Sequence, residues 1–241
     1  MSLFACSNAP SKEVALNAVA GSVADVQEAD KNYLMGKFDP AKRTDFVAVG
    51  APYADKPGMM LRREAFEAFE KMWAAAKKEG LVLKIISSTR TFEQQKNIWE
   101  GKWSRFAKDF PDPSDRARKI LEYSSMPGSS RHHWGTDVDL NDLNNPSFEG
   151  NGRYKKIYDW LTAHAHEYGF GQPYTPKGTE RPEGYNEEKW HWSYLPLSKS
   201  FLQQYVAHIG NDQIEGFQGA ETAKSIRIVE NYVGGVNKDC K

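Results

Sequence analysis

Two short segments, about fifty residues apart, restrict what this chain can become more than anything else in it. Ser130-Arg-His132-His-Trp-Gly135-Thr-Asp137-Val-Asp139 sets a histidine and an aspartate seven residues apart across a glycine turn. Glu188-Lys-Trp-His191-Trp192 sets a carboxylate and a histidine three residues apart. If a fold brings both segments together, His132, Asp139 and His191 face one point directly and Glu188 reaches it through water. Two imidazoles and one carboxylate leave a fourth position open, which is the inventory of a catalytic zinc site, with a non-ligating glutamate as base. The chain has six histidines, and histidines fall near carboxylates without a metal too, so spacing alone leaves an accidental match open.

The flanking patterns predict the elements that would carry these segments. Ala65, Phe66, Phe69, Met72, Trp73 and Ala76 recur at helical spacing over 61–79, with Gly80 as the stop. Leu81 to Ile86 is a β-rich run ending in Ser87-Ser-Thr-Arg90, so Arg90 falls at a strand end. Thr91 reads as the N-cap of a second helix with Phe92, Gln95, Ile98 and Trp99 on one face. A short helix over 115–123, a strand over 136–140, a helix over 154–168, a strand over 190–195 and a helix over 199–209 follow. The proline-punctuated loop 171–184 suits a wall or lid beside a site. The expected organisation is a leader or helical extension over 1–44 (with a short helix over 14–29), a main domain over 45–210, and a polar, weakly patterned extension over 211–241.

Lysine plus arginine and aspartate plus glutamate both total 32, so no net field recruits nucleic acid or an anionic membrane. No run approaches the roughly 20 apolar residues of a membrane span. The two cysteines, Cys6 and Cys240, lie near the ends, which argues against a disulfide framework; Cys240 reads as an inert tail thiol. The opening Met-Ser-Leu-Phe-Ala-Cys-Ser-Asn is similar to a bacterial lipobox stripped of its hydrophobic signal, and an incidental terminal cysteine fits equally well.

Ser-x-His-x-x-Gly-x-x-x-Asp followed by Glu-x-x-His resembles the vancomycin-resistance D,D-carboxypeptidases, the VanY-like or LAS metallopeptidases that cleave bacterial cell-wall peptides. Leu61-Arg-Arg-Glu-Ala-Phe-Glu-Ala-Phe through Ile85-Ile-Ser-Ser-Thr-Arg90-Thr-Phe-Glu-Gln-Gln95 is similar to a third block of that family, in the same order, and the likeness covers residues 45 to 200. The resemblance implies His132, Asp139 and His191 as ligands of one zinc ion per chain, Glu188 as base and proton shuttle, and Arg90 as oxyanion stabiliser. It implies Ser130 and Gln95 as substrate-orienting hydrogen bonders, peptidoglycan stem peptides as substrates, and a place in the bacterial cell envelope, with Cys6 as a lipid anchor. The expected fold is α+β: a small, mainly antiparallel sheet with packed helices and the zinc cleft across it. Hydrolysis of the terminal D-Ala of D-Ala-D-Ala stem peptides is the expected reaction; an L,D-carboxypeptidase, a wall endopeptidase and a non-catalytic zinc-containing wall-binding module are the alternatives. The chain departs from the family in carrying Asp137 where a small residue is common and Thr89 where tyrosine is common.

Outside this constellation the expectations are plainer. By strand alternation His133 points away from the ligand side, while Asp137 shares a face with Asp139 as a partner behind the ligands or a rim charge. His164, His166 and His208 read as structural or surface residues, and Trp134, Trp190 and Trp192 as core. The basic-aromatic stretch from Lys102 to Lys108 reads as a solvated helix face, with contact to an anionic wall polymer as its alternative.

Overall fold

The computed structural model describes residues 29–241. Cys6 and most of the helix expected over 14–29 lie outside the described residues. A four-stranded sheet forms the centre, made of β3 (Ile85–Ser87), β4 (Asp137–Leu140), β5 (Phe170–Gly171) and β6 (His191–Tyr194). Its order is β3-β4-β6-β5 with every neighbouring pair antiparallel. A two-stranded antiparallel sheet, β1 (Phe46–Val49) with β2 (Met59–Arg62), stands beside it. The expected α+β architecture with small antiparallel sheets and packed helices is the one observed.

Strand alternation explains how this sheet makes a site. Val138 and Leu140 of β4 and Trp192 of β6 point to one face, where they pack against α2 (Arg63–Lys78) and α5 (Lys155–His164) with Phe69, Met72, Ala76, Ile157 and Leu161. Each such side chain, taken fully out of water, contributes about 1.5–3 kcal/mol. The intervening residues, Asp137, Asp139, His191 and Ser193, therefore share the opposite face. The register sets Asp137 across from Ser193 and Asp139 across from His191. All four are buried, so polar groups line one side of a sheet whose other side is apolar core.

The helix α3 (Phe92–Phe106) starts at Thr91, whose hydroxyl accepts from Gln94 N while the Gln94 side chain accepts from Thr91 N, a reciprocal cap. Its buried face is Phe92, Gln95, Trp99 and Trp103; Ile98, expected inside, is 39% exposed. The short α4 (Pro113–Ile120) and the long α6 (Leu195–His208) complete a second apolar cluster with α3. That cluster also takes Tyr33 and Leu34 from α1 (Lys31–Leu34), Ile226 from α7 (Thr222–Ile226), and Val229, Val233, Val236 and Cys240 beyond it. Cys240, expected as an inert tail thiol, is fully buried, with its Sγ close against Gly171.

The strand expected over 81–86 is confined to Ile85–Ser87. Leu81 to Lys84 lie outside any strand and are met by Asn141, at φ 65, whose side-chain amide donates to Val82 O at 2.9 Å and accepts from Lys84 N at 3.2 Å, and whose backbone N donates to Lys84 O at 2.8 Å. Lys102 is half-buried and bonded to Ser124 Oγ, and Trp103 is core, so the 102–108 stretch is not a uniformly solvated face.

Candidate active site

The segment from Ser130 to Asp139 begins with a 3₁₀ turn, Arg131–Trp134, closed by Gly135 in the left-handed region at φ 75. A side chain at Gly135 would run into the Phe46 ring, so glycine is required both by conformation and by space. The turn delivers His132 next to β4, and its carbonyl accepts from Arg90 N at 3.1 Å, which ties the end of β3 to the same place.

His132, Asp139 and His191 converge, each offering a ligand atom within 4.8 Å of the others. Each imidazole has one nitrogen occupied on the side away from the shared point. His132 Nδ1 is 2.9 Å from the Ser88 carbonyl and thus carries a proton, leaving Nε2 facing Asp139 Oδ2 at 3.3 Å. His191 Nε2 is 2.8 Å from Asp137 Oδ2, leaving Nδ1 facing Asp139 Oδ1 at 3.2 Å. Asp139 Oδ1 is buried without a hydrogen bond of good geometry. Two ring nitrogens and an unpartnered carboxylate oxygen aimed at one point fit a metal ion, which all three can hold.

Glu188 is buried beside them, with Oε2 3.3 Å from His191 Nδ1. Burial raises its carboxyl above the ordinary value despite the neighbouring His191. Burial would raise Asp139 too, yet the His132 and His191 rings hold it well below the usual carboxylate range. Burial opposes protonation of His191, but Asp137, Asp139 and Glu188 around it push it well above the ordinary histidine value. Three carboxylates around one imidazole make this pocket an attractive place for a cation.

Arg90 is held at both ends of its guanidinium: Nε donates to Gln95 Oε1 at 2.9 Å and Nη1 to Ser87 Oγ at 2.6 Å. Nη1 also lies 3.6 Å from Asp139 Oδ2. Gln95, expected to meet substrate, is buried, with its oxygen accepting from Arg90 and its other end donating to the Ser125 carbonyl at 2.8 Å. Ser130 lines the cleft with a buried hydroxyl that has no partner.

His133, expected to point away from the ligand side, is buried behind it: Nδ1 donates to the Arg90 carbonyl at 2.7 Å and Nε2 accepts from Gly128 N at 3.1 Å. Asp137 is no rim charge but a fully buried partner of His191 and Arg131. His164, His166 and His208 are outside the cluster. Trp134, Trp190 and Trp192 are core.

Three lining residues escaped the sequence reading: Ser125, Tyr174 and Tyr185. Tyr174 lies edge-on to His191 at 4.8 Å between ring centroids, and Tyr185 packs on Tyr174 at 5.0 Å. Both are buried, and the Tyr185 hydroxyl has no partner. Tyr174 lies within the expected wall loop and Tyr185 directly follows it; Arg181 stiffens that loop from inside by donating to the Thr175 carbonyl and, at 2.8 Å, to the Tyr185 carbonyl. A tyrosine just before Glu188 was the one available signal. Together these side chains leave a cavity of about 30 Å³, room for an ion and a water.

A family model described as VanY, D-alanyl-D-alanine carboxypeptidase, matches residues 58–197, a stretch that contains every side chain of this cleft. The chain belongs to the VanY D-alanyl-D-alanine carboxypeptidase family. Among its relatives, the Bacillus subtilis (strain 168) protein YodJ, provisionally named a carboxypeptidase, is 34% identical over 172 residues, which are 69% of this chain and 58% of YodJ. A D-alanyl-D-alanine carboxypeptidase of Enterococcus faecalis (strain ATCC 700802 / V583) is 29% identical over 129 residues, 53% of this chain and 46% of that protein. The chain thus spans about half the length of these curated relatives. Among solved structures, the LdcB LD-carboxypeptidase has the same fold with a TM-score of 0.53 and 26% identity, covering 78% of this chain and 79% of LdcB. The segments 29–57 and 198–241 of this VanY-family chain fall outside the matched stretch, although both contribute to its core.

Proposed function

We propose that this chain is a zinc-dependent D,D-carboxypeptidase that removes the terminal D-Ala from D-Ala-D-Ala-type stem peptides of peptidoglycan. The observation that carries the reading is the convergence of His132, Asp139 and His191 with Glu188 and Arg90 in one cleft of a VanY-family domain. Two imidazoles and a carboxylate suit zinc, one ion per chain. When bound, zinc supplies Lewis acidity, polarising the scissile carbonyl and making water a stronger acid.

The protein's own groups do the rest. Glu188 Oε2 takes a proton from the attacking water and returns it to the leaving amine nitrogen, a shuttle that its raised pKa favours. The Arg90 guanidinium, clamped by Gln95 and Ser87, meets the negative charge that develops on the carbonyl oxygen without having to reorganise. The unpartnered Ser130 and Tyr185 hydroxyls orient the peptide, and the Tyr174 and Tyr185 rings keep bulk water from the reacting carbonyl. A non-catalytic wall-binding module that keeps zinc for structure requires neither Glu188 nor Arg90.

The name of the Enterococcus faecalis relative supports a D-Ala-D-Ala substrate. The likeness to LdcB favours an L,D-carboxypeptidase as the second reading. Incubation with stem peptides ending in D-Ala-D-Ala or in L-Lys-D-Ala, or carrying a cross-link, with product masses read out, separates these from an endopeptidase. If wild type and Glu188→Ala protein leave all three uncut, the hydrolase reading fails. Such a substrate lies in the bacterial cell envelope, and a lipid on Cys6 would hold the protein there. Loss of membrane association in a Cys6→Ser variant expressed with an export signal tests that part.

A further inference from the structure

Behind the three converging ligands lies a pair of opposite charges with no access to water. The Arg131 and Asp137 side chains are both 0% exposed, and Nε of Arg131 donates to Asp137 Oδ2 at 3.0 Å. The same Oδ2 is the atom 2.8 Å from His191 Nε2. Asp137 Oδ1 accepts from Thr136 Oγ1 at 2.6 Å and from Ser193 Oγ at 2.8 Å, so the carboxylate has no freedom to turn. Arg131 Nη2 donates to Ser193 Oγ at 2.6 Å, and the guanidinium lies over the Trp134 ring at 4.8 Å. Neither Arg131 nor Asp137 lines the cleft.

Burying two charges is costly, and apolar residues of the same volume commonly do as well or better for stability. Stability alone is thus a weak reason for this pair, whereas its geometry with respect to His191 is specific. A histidine ligand whose far nitrogen donates to a fixed carboxylate has one tautomer and one ring orientation. We infer that Arg131 and Asp137 are a positioning pair for His191: Asp137 holds the Nε2 N–H so that Nδ1 is turned toward the point it shares with His132 and Asp139, and Arg131 fixes the Asp137 carboxylate in place. The inference rests on the metal-centre reading of the preceding section and adds to it two residues that never touch metal or substrate.

The test uses the full chain and zinc itself. An Asp137→Asn variant removes the charge with little change of shape, and an Arg131→Met, Asp137→Ala double variant removes both charges and strands neither. Zinc affinity is measured by chelator competition, and folding of each metal-free variant by circular dichroism and thermal melting. Cobalt-substituted protein gives a visible spectrum that reports ligand geometry, which a merely structural role would leave unmoved. Expected is a loss of about 10- to 100-fold in zinc affinity with an altered cobalt spectrum in folded variants. Folded variants that bind zinc within twofold of wild type, with an unchanged spectrum, overturn the inference. If Asp137→Asn fails to fold, the charge-free double variant decides by the same two readouts. If neither variant folds, the pair is required for the fold itself and the positioning inference is overturned. Wild-type protein that takes up no zinc defeats the metal-centre reading, and this one with it.

Discussion

Glu188 Oε2 stands 3.3 Å from His191 Nδ1, the nitrogen that His191 turns toward Asp139. A carboxylate at that distance reaches the shared point through one water and is not needed to close it. Glu188→Gln should therefore keep zinc at about one equivalent while kcat falls by about 100- to 10,000-fold. Metal analysis alongside steady-state kinetics checks both halves, and loss of metal together with activity would make Glu188 a ligand instead.

Arg90 and Gln95 separate two effects. Arg90→Ala removes the charge facing the developing oxyanion and should lower kcat by about 100- to 1,000-fold. Gln95→Ala leaves that charge but releases its Nε, now held at 2.9 Å, and should lower kcat by about tenfold to a hundredfold with KM little changed. Equal losses in the two variants would mean that the clamp, not the charge, matters.

Gly36 lies against His133, and its φ is +74. A Cβ there would stand 2.3 Å from His133 Nδ1, the atom that donates to the Arg90 carbonyl. Gly36→Ala should destabilise the protein by about 2–4 kcal/mol through left-handed strain and overpacking. Urea unfolding measures the loss, and activity should fall too, since the displaced ring holds the backbone of Arg90.

The Tyr33 phenol is pushed up to about 12 by burial, against an unfolded value of 10.0. Below pH 10 both states keep the proton and the full stability is present; between pH 10 and 12 only the unfolded chain gives it up, so stability falls as pH rises. The loss amounts to about 2 kcal/mol by pH 12. Tyr33→Phe should flatten the alkaline slope of the melting temperature attributable to this group. At neutral pH it should cost about 0.5–1.5 kcal/mol for the lost bond to the Trp134 carbonyl.

Cys240 has its thiol buried and pushed up to about 11 by that burial. In a Cys6→Ser background an aromatic disulfide reagent at pH 8 should label Cys240 only as fast as the protein opens, and at once in denaturant. Rapid labelling of the folded protein would mean that the last turn is not packed on Gly171.

Much of this arrangement was legible before any coordinates. The α2 and α3 helices announced themselves through helical spacing and the Thr91 cap, and alternation set Asp137 and Asp139 on one face. The ligand segments were legible mainly through the family resemblance, since their spacing alone left an accidental match open. The C-terminal segment was not, because Ile214, Ile226, Val229, Val233 and Val236 are buried from turns too short to show a period. Arg131 was missed for a different reason: an arginine among polar residues reads as surface, and only its pairing with Asp137 allows its burial. The 81–84 stretch was overread because a β-rich run says nothing about whether a partner strand exists, and here Asn141 takes that place with its side chain.

Asp139 and His191 are directly opposite one another across β4 and β6. They are the two ends of a long excursion of chain that includes α5 and the tyrosine-bearing wall. An ion gripping both binds the folded chain and not the unfolded one, in which these two ends of a loop of about fifty residues drift apart, so each tenfold of free ion above its dissociation constant adds about 1.4 kcal/mol to stability. Chelation should accordingly do more than silence the cleft: it should loosen the whole domain, so that occupancy of the site and resistance to unfolding rise and fall together.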